Sequence, residues 1–575
     1  MRSSRSAFAG VAMFSALSNV LMLTGALFML EIYDRVLPSR STPTLVALAI
    51  IAVMLFAAQG TLDVLRSRIL VRIGASLDEA VSARVFDVLV RMPPGADRGD
   101  GLQPMRDLDS VRSFLSGAGP NALLDMPWLP FYITIIFLFH ALLGVTAAAG
   151  TVILVGLTAC TEYLTRGPVK AATIEGGVRA GLAEAGRRNA EVLRAMGMTH
   201  RLAERYSAVS NSLVDKQMVT SDVAGGIGSV SKMLRMILQS AMLGLGAWLV
   251  IRNEASAGII IAGSILVGRA LAPVDLAIAN WKHFVAARQS WGRLSALLAH
   301  FPPEKQRLAL AAPRESLKVE RLTVTEPAGP RIIIRDISFE LPSGSGLGII
   351  GPSASGKSTL ARAMVGAWRA ASGRVRLDGA ELDQWPREEL GRHIGYLPQD
   401  VELFAGTVAE NIARLDPSPD AQMVVAAAHM AGIHDMIVNL RDGYQTQIGE
   451  GGAVLSAGQR QRIALARALY GEPFLVVLDE PNSNLDADGD RALMRAVHGV
   501  RERGGVAVVI SHRPSALEAL SLVLVMQEGR AAAFGPRDEV MAKLQPQVVS
   551  AAVRPRDQTV PKRAGEERGT GEPAA

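Results

Sequence analysis

Six apolar runs, each close to the length that crosses a bilayer, constrain most strongly what this chain can fold into. A hydrocarbon core about 30 Å thick is spanned by roughly 20 helical residues, and a helix satisfies all of its own backbone polar groups there. The runs occupy 7–30, 44–65, 121–140, 142–164, 233–251 and 257–277. The sequence therefore predicts an α-helical, six-span transmembrane domain in the first half of the chain.

The polar segments between the runs predict how the spans are oriented. Two long, arginine-rich, helix-prone segments, 66–121 and 165–232, alternate with very short turns. The positive-inside rule places the arginine-rich segments and both termini in the cytoplasm. The net charge of +6 is then explained by these inner-face arginines, so no binding to nucleic acid is predicted.

Ionisable residues inside or near a span are candidates for function, because a charge in the bilayer is costly. Asp34, Arg35 and Asp125 are assigned to interfaces, where their side chains can reach the headgroups, and Glu162 lies in or near a span. Arg269 is the best candidate for lining a pathway. Cys160 is the only cysteine, so no disulfide can form within one chain.

The second half contains a glycine-rich loop between an apolar strand and a helix-forming segment. Its residues are Gly351, Pro352, Ser353, Ala354, Ser355, Gly356, Lys357, Ser358 and Thr359, and the first eight of them read G-x-x-x-x-G-K-S. Such a loop turns its backbone N–H groups toward phosphates. Lys357 is expected to reach the β and γ phosphates of a nucleotide, and the Ser358 hydroxyl is expected to bind Mg²⁺.

A second short apolar run ends in two acids, Asp479 and Glu480. A buried parallel strand ends in this way at the sheet edge where ligands collect. Asp479 is placed to hold Mg²⁺ through water, and Glu480 to polarise the attacking water. Just upstream, 455–459 reads Leu-Ser-Ala-Gly-Gln. With this motif between the two nucleotide motifs, the chain resembles the ABC (ATP-binding cassette) ATPases.

The resemblance assigns further roles in ATP hydrolysis. It implies that Gln399 contacts Mg²⁺, that His512 contacts the γ-phosphate and that Asp486 belongs to the loop after the catalytic acid. It also implies that Ser456, Gly458 and Gln459 cap the ATP bound by a second copy of the chain, which predicts a homodimer. The aromatic residue that often stacks on adenine in this family has no counterpart in 322–327. Arg331 is the alternative for that contact.

Four further stretches, 33–41, 125–132, 268–273 and 395–404, look like those of type I secretion permease/ATPases of the protease-secretion kind. That resemblance implies a Gram-negative inner membrane, a periplasmic membrane-fusion adaptor, a TolC-type outer-membrane channel and an unfolded polypeptide as the exported substrate. Two alternatives stay open, namely an exporter of lipids or small molecules with the same architecture, and a membrane-tethered regulatory ATPase.

The expected organisation is a type I ABC exporter-like transmembrane domain fused to an α/β P-loop ATPase domain. The transmembrane domain covers 1–300 and interacts with membrane lipid, and a linker covers 301–316. The ATP-binding domain covers 317–544, and a polar tail rich in Pro, Arg, Glu and Gly, predicted to be disordered, covers 545–575.

Overall fold

The computed structural model describes residues 2–92, 101–303, 307–326, 329–511 and 517–543. It divides into two compact units, Met1–Glu304 and Lys305–Ala575. Two sequence-based predictions, the role of His512 and the disorder of the tail 545–575, fall outside the described residues.

The first unit is built from helices. Their bounds are α1 Arg2–Leu21, α2 Thr24–Glu31, α3 Leu37–Ser39, α4 Thr42–Arg91, α5 Gln103–Leu115, α6 Gly119–Asp125, α7 Leu129–Phe139, α8 Ala141–Arg188, α9 Ala190–Ala195, α10 Thr199–Ile251 and α11 Ala257–His300. A π-helical turn, Ile32–Val36, joins α2 to α3, and a 3-10 turn, Met126–Trp128, joins α6 to α7. Within the described residues, six helical segments are long and apolar enough to cross a membrane, which confirms the predicted six-span fold.

Four of these helices are far longer than a bilayer is thick. Helices α4, α8, α10 and α11 contain 50, 48, 53 and 44 residues. At 1.5 Å per residue they are about 65 to 80 Å long, so each extends well beyond the hydrocarbon core. The extensions of α4, α8 and α10 include a large part of the long polar segments 66–121 and 165–232.

A buried charge cluster joins α1, α4 and α6. Asp125 is 6% exposed and accepts hydrogen bonds from Arg66 Nη1, at 2.8 and 3.1 Å, and from Asn19 Nδ2 at 2.8 Å. Ser15 donates to the same carboxylate, and the Tyr132 hydroxyl donates to Asn19 Oδ1 at 3.0 Å. The prediction that Asp125 reaches toward an interface is therefore wrong, because this carboxylate is paired inside the helical unit.

The described residues of the second unit form two sheets. An antiparallel sheet has the order β2-β1-β4-β5, and its strands are β1 Ser316–Thr325, β2 Ile332–Pro342, β4 Ser372–Leu377 and β5 Ala380–Glu381. The larger sheet has the order β10-β9-β3-β8-β7-β6. Its strands are β3 Gly346–Ile350, β6 Ile394–Leu397, β7 Leu475–Asp479, β8 Val506–Ile510, β9 Leu522–Gln527 and β10 Arg530–Pro536.

Helices surround these sheets. They are α12 Lys357–Met364, α13 Arg387–His393, α14 Val408–Ile412, α15 Ala421–Met430, α16 His434–Val438, α17 Ala457–Leu469 and α18 Ala487–Glu502. Every residue of β7 and β8 is buried, as expected for parallel strands covered on both faces. Strands β9, β3, β8, β7 and β6 run parallel, so their carboxyl ends lie along one edge of the sheet.

Candidate nucleotide site

The carboxyl edge of the parallel strands gathers most of the residues that the sequence singled out. The glycine-rich loop follows β3, Asp479 ends β7, and Gln399 follows β6. Strand β8 lies between β3 and β7, and the segment after it includes His512, which lies outside the described residues. Ligands of open α/β sheets bind at this edge.

The backbone of the glycine-rich loop requires glycine at its first position. Gly351 has a φ of +154°, and a Cβ atom there would lie 2.2 Å from the backbone oxygen of Met526. Gly356 has a φ of 96°, and Ala354, which is not glycine, has a φ of 63°. A left-handed alanine is a strained conformation of the kind that clusters at ligand-binding loops. The loop leads directly into α12, whose first N–H groups have no acceptor within the helix and can therefore donate to an anion.

Lys357, the first residue of α12, is buried under this loop. Its Nζ donates to the carbonyl oxygens of Gly351 at 2.9 Å and Pro352 at 2.8 Å. Burial lowers the pKa of the ammonium group, and the carboxylates of Glu480 and Asp479 oppose that shift. The ammonium group is thus held by two neutral carbonyl groups, which phosphate oxygens can replace with stronger, charge-assisted partners.

Asp479 fits a divalent cation. It is 1% exposed, and neither of its carboxylate oxygens has a hydrogen-bond donor in bonding geometry within the described part of the chain. Burial raises the pKa of this carboxyl group, while the nearby Ser358 hydroxyl and Lys357 ammonium oppose the rise. Buried carboxylate oxygens without donors are costly, and a hydrated Mg²⁺ would satisfy them.

Glu480 is held in an unusual backbone conformation next to Asp479. Its φ is 50°, and its N–H donates to the carbonyl oxygen of Ile510, at the end of β8, at 2.9 Å. Its Oε2 lies 3.5 Å from Nε2 of Gln399. The structure therefore brings together two of the three candidate catalytic residues, and the strain is typical of a functional position.

The Leu-Ser-Ala-Gly-Gln motif forms the start of α17. Ser456 is the N-cap, and its hydroxyl accepts from Gln459 N at 3.3 Å, while Gln459 Oε1 accepts from Ser456 N at 2.9 Å. Ser456 is exposed, so the amino end of α17 is open to a ligand that another molecule presents. Asp486 caps α18, and its carboxylate accepts from Gly489 N at 2.8 Å.

Gln461 is a site residue that the sequence analysis missed. It is 3% exposed, and its Nε2 donates to the carbonyl oxygens of Glu480, at 3.2 Å, and of Pro481. Its Oε1 accepts from Asn484 N at 3.1 Å. The side chain therefore holds α17 against the loop that contains Glu480. The sequence does contain a signal for this role, because Gln461 has the helical spacing that places it on the same buried face of α17 as Leu465 and Ala468.

Asn411 is a second missed residue, and it fixes the loop after Gln399. It is fully buried and exchanges hydrogen bonds with both backbone groups of Phe404, each at 2.9 Å. Its Nδ2 also donates to the carbonyl oxygen of Thr407 at 3.0 Å. These bonds hold the chain between β6 and α14 in one conformation.

The region expected to contact adenine contains no ring in its described part, 322–326, which lies on β1 and just after it. Pro327 falls outside the described residues. Arg331 is exposed, and its carbonyl oxygen accepts from Glu326 N at 2.7 Å. Contact between Arg331 and adenine stays a prediction.

Comparison with known proteins gives matches along most of the chain. Residues 8–271 match the family model described as ABC transporter transmembrane region, and residues 334–483 match the one described as ABC transporter. The chain is 55% identical to the type I secretion system ATP-binding protein PrsD of Rhizobium meliloti (strain 1021), over 96% of this chain and 95% of that protein.

More distant relatives include proteins named for toxin translocation. The chain is 30% identical to the alpha-hemolysin translocation ATP-binding protein HlyB of Proteus vulgaris, over 94% of this chain and 77% of that protein. Among solved structures it resembles a bacterial Atm1-family ABC exporter with ATP bound, with a TM-score of 0.80 and 21% identity, covering 96% of this chain and 99% of that one. This last likeness concerns the fold alone.

Proposed function

Since the chain belongs to the ABC transporters, in the branch of the type I secretion ATP-binding proteins, we propose that it exports an unfolded polypeptide across the inner membrane, driven by ATP hydrolysis. The membrane domain and the ATPase domain are both present, and the ATPase domain lies in the cytoplasm. The observation that carries the proposal is the near full-length, 55% identity to a protein named for type I secretion.

The residues at the sheet edge have separate roles in ATP hydrolysis. The loop 351–359 and the start of α12 bind the phosphates of ATP, and Lys357 balances the charge that develops on the γ-phosphoryl group. Glu480 accepts a proton from the attacking water, and Gln399, whose Nε2 lies 3.5 Å from Oε2 of Glu480, positions that water. His512 contacts the γ-phosphate from the segment after β8.

Ser358, Asp479 and Gln399 hold Mg²⁺ in this proposal. The support for it is the pair of buried carboxylate oxygens on Asp479 that lack donors within the described residues. The ion supplies charge neutralisation for the phosphate oxygens when it is bound.

Two copies of the chain form the working unit. The support is the position of Ser456, exposed at the amino end of α17, where it can approach a nucleotide bound by another copy. Ser456, Gly458 and Gln459 then cap the ATP on the partner's glycine-rich loop, and Asp486 lies in the adjoining loop. Closure of this dimer around two ATP molecules switches the membrane domain to its outward-open state, and hydrolysis resets it.

The proposed partners are a periplasmic membrane-fusion adaptor, a TolC-type outer-membrane channel and the exported polypeptide. They are supported by the similarity to the type I secretion protein of Rhizobium meliloti and to proteins named for toxin translocation. The exported polypeptide would then leave the cell without a periplasmic intermediate.

A pull-down tests this function. Glu480→Gln protein is purified from native membranes with ATP, and co-purifying molecules are identified by mass spectrometry. We expect an adaptor protein and at least one secreted polypeptide, both absent when Lys357→Ala protein is used as the matched control. Recovery of lipids or small molecules alone, with no polypeptide, would refute polypeptide export and favour the alternative exporter.

A further inference from the structure

An exposed arginine lies deep in the membrane part of α11. Arg269 is twelve residues from the start of this helix at Ala257, which places it about 18 Å from the outer end at 1.5 Å per residue. The hydrocarbon core is about 30 Å thick, so Arg269 lies near its middle. A guanidinium group there is too far from either interface to reach the headgroups with its own side chain.

Arg269 differs from the other ionisable residues of the described spans in having no carboxylate partner, although it lies close enough to the Tyr132 phenol to interact with it electrostatically. Arg66 pairs with Asp125 at 2.8 Å, Glu162 pairs with Arg288 at 2.9 Å, and Asp275 pairs with Arg235. Asp63 also lies 3.5 Å from Arg66. Within the described part of the chain, Arg269 makes no hydrogen bond and no ion pair.

The backbone at the same position also requires a polar neighbour. Pro273 lies inside α11, four residues after Arg269. Because proline has no N–H, the carbonyl group of Arg269 has no donor from the next helical turn. In a membrane such a carbonyl group is satisfied by water or by another polar group. The side chain and the carbonyl group of Arg269 therefore both require a polar environment at the same depth in the membrane.

The helix face around Arg269 is open in one chain. Helix α11 is the most buried of the candidate spans, with 56% of its most apolar stretch buried, yet Arg269, Ala272 and Ala279 are exposed along one stripe of it. A Cβ atom built on Gly268 would meet nothing within 4 Å. The stripe continues to Lys282 and His283, which are also exposed. It presents small and cationic residues, whereas lipid favours a continuous apolar face.

We propose that this stripe of α11 lines the aqueous path of the transporter and that Arg269 binds acidic side chains of the polypeptide passing through it. The inference rests on the proposed function. A guanidinium group forms two parallel hydrogen bonds with a carboxylate, and the low dielectric of the membrane strengthens the pair. Two copies of the chain would place two such cations in the path.

A cross-linking experiment on the full-length protein in proteoliposomes tests the proposal. Cys160→Ser removes the only cysteine, and Ala272→Cys, one turn from Arg269, carries a maleimide benzophenone. The probes are two extended peptides of equal length, one with glutamate at regular intervals and one with lysine at the same positions. We expect the acidic peptide to be labelled about tenfold more than the basic one when Arg269 is present.

Variants of Arg269 then separate charge from shape. Arg269→Glu is expected to reverse the preference, and Arg269→Lys to retain it. The matched control is Arg252→Glu, which makes the same charge change at the exposed turn before α11 and is expected to leave the preference unchanged. Basal ATP hydrolysis in each variant shows that it is folded.

The outcomes distinguish this proposal from the function on which it rests. Equal labelling by both peptides, unchanged by Arg269→Glu, would overturn the role of Arg269. If position 272 were not labelled by either peptide but the pull-down described above still recovered a polypeptide, the role of Arg269 would also be refuted. Polypeptide export would then remain supported. Absence of polypeptide in both experiments would overturn the two together.

Discussion

Replacing Gln461 by leucine is expected to loosen the loop that contains Glu480, the proposed general base. The leucine has nearly the same size but cannot donate to the carbonyl oxygens of Glu480 and Pro481, nor accept from the N–H of Asn484. Gln461 is buried, so water does not replace these three bonds. At about 1 kcal/mol for each lost bond, Gln461→Leu costs about 3 kcal/mol of local stability.

The assay for this prediction is amide hydrogen exchange followed by mass spectrometry on the full-length protein. A loss of about 3 kcal/mol corresponds to roughly a hundredfold faster exchange in peptides covering 480–486, because exchange there reports local opening. The rate of ATP hydrolysis is expected to fall at least about tenfold, since Glu480 is in position less often. Peptides from the membrane unit serve as an internal reference.

The matched control is Gln422→Leu, which makes the same chemical change at an exposed position on α15. It is expected to change neither exchange in 480–486 nor hydrolysis. If Gln461→Leu protein exchanged at the wild-type rate in 480–486, the claim that this side chain holds the loop would be refuted.

Four further changes have defined outcomes. Lys357→Ala should weaken ATP binding about a hundredfold in an equilibrium binding assay, whereas Glu480→Gln should bind ATP and remain a dimer on native electrophoresis without hydrolysing it. Gly351→Ala should abolish nucleotide binding in a folded protein, because its Cβ would meet a strand carbonyl at 2.2 Å. Asp125→Ala should lower the free energy of unfolding in detergent by about 3 kcal/mol, because the buried Arg66 loses its closest carboxylate and keeps only the partly exposed Asp63 at 3.5 Å. Arg66→Met in the same chain should restore part of that loss, and an unchanged melting temperature would contradict the pairing of Arg66 with Asp125.

Much of the fold could be predicted from the sequence because its signals are local. An apolar run of about 20 residues specifies a span by itself. The glycine-rich loop and the acids after an apolar run specify strand ends, and parallel strands bring those ends to one edge. This is why the sequence alone predicts that Lys357, Asp479 and Glu480 lie at one site.

The features that sequence analysis missed depend on contacts between distant parts of the chain. Asp125 pairs with Arg66, 59 positions away, and nothing local to Asp125 indicates which helix will face it. Gln461 looks like one polar residue among the arginines of α17, and only the packing of that helix against the loop after β7 reveals its role. Arg269 could be identified from the sequence because its span is apolar. That the other membrane charges are paired with opposite charges, whereas Arg269 is not, could be seen only in the structure.

The most direct test of ATP-driven polypeptide export is to compare the proteins that a native host releases into its medium. Cells carrying wild-type protein, Lys357→Ala or Glu480→Gln are grown in parallel, and medium and cell contents are quantified by mass spectrometry. If ATP hydrolysis drives export, one or a few polypeptides disappear from the medium and accumulate inside the cells in both variants. An identical set of released proteins in all three strains, with each variant present in the membrane, would contradict it.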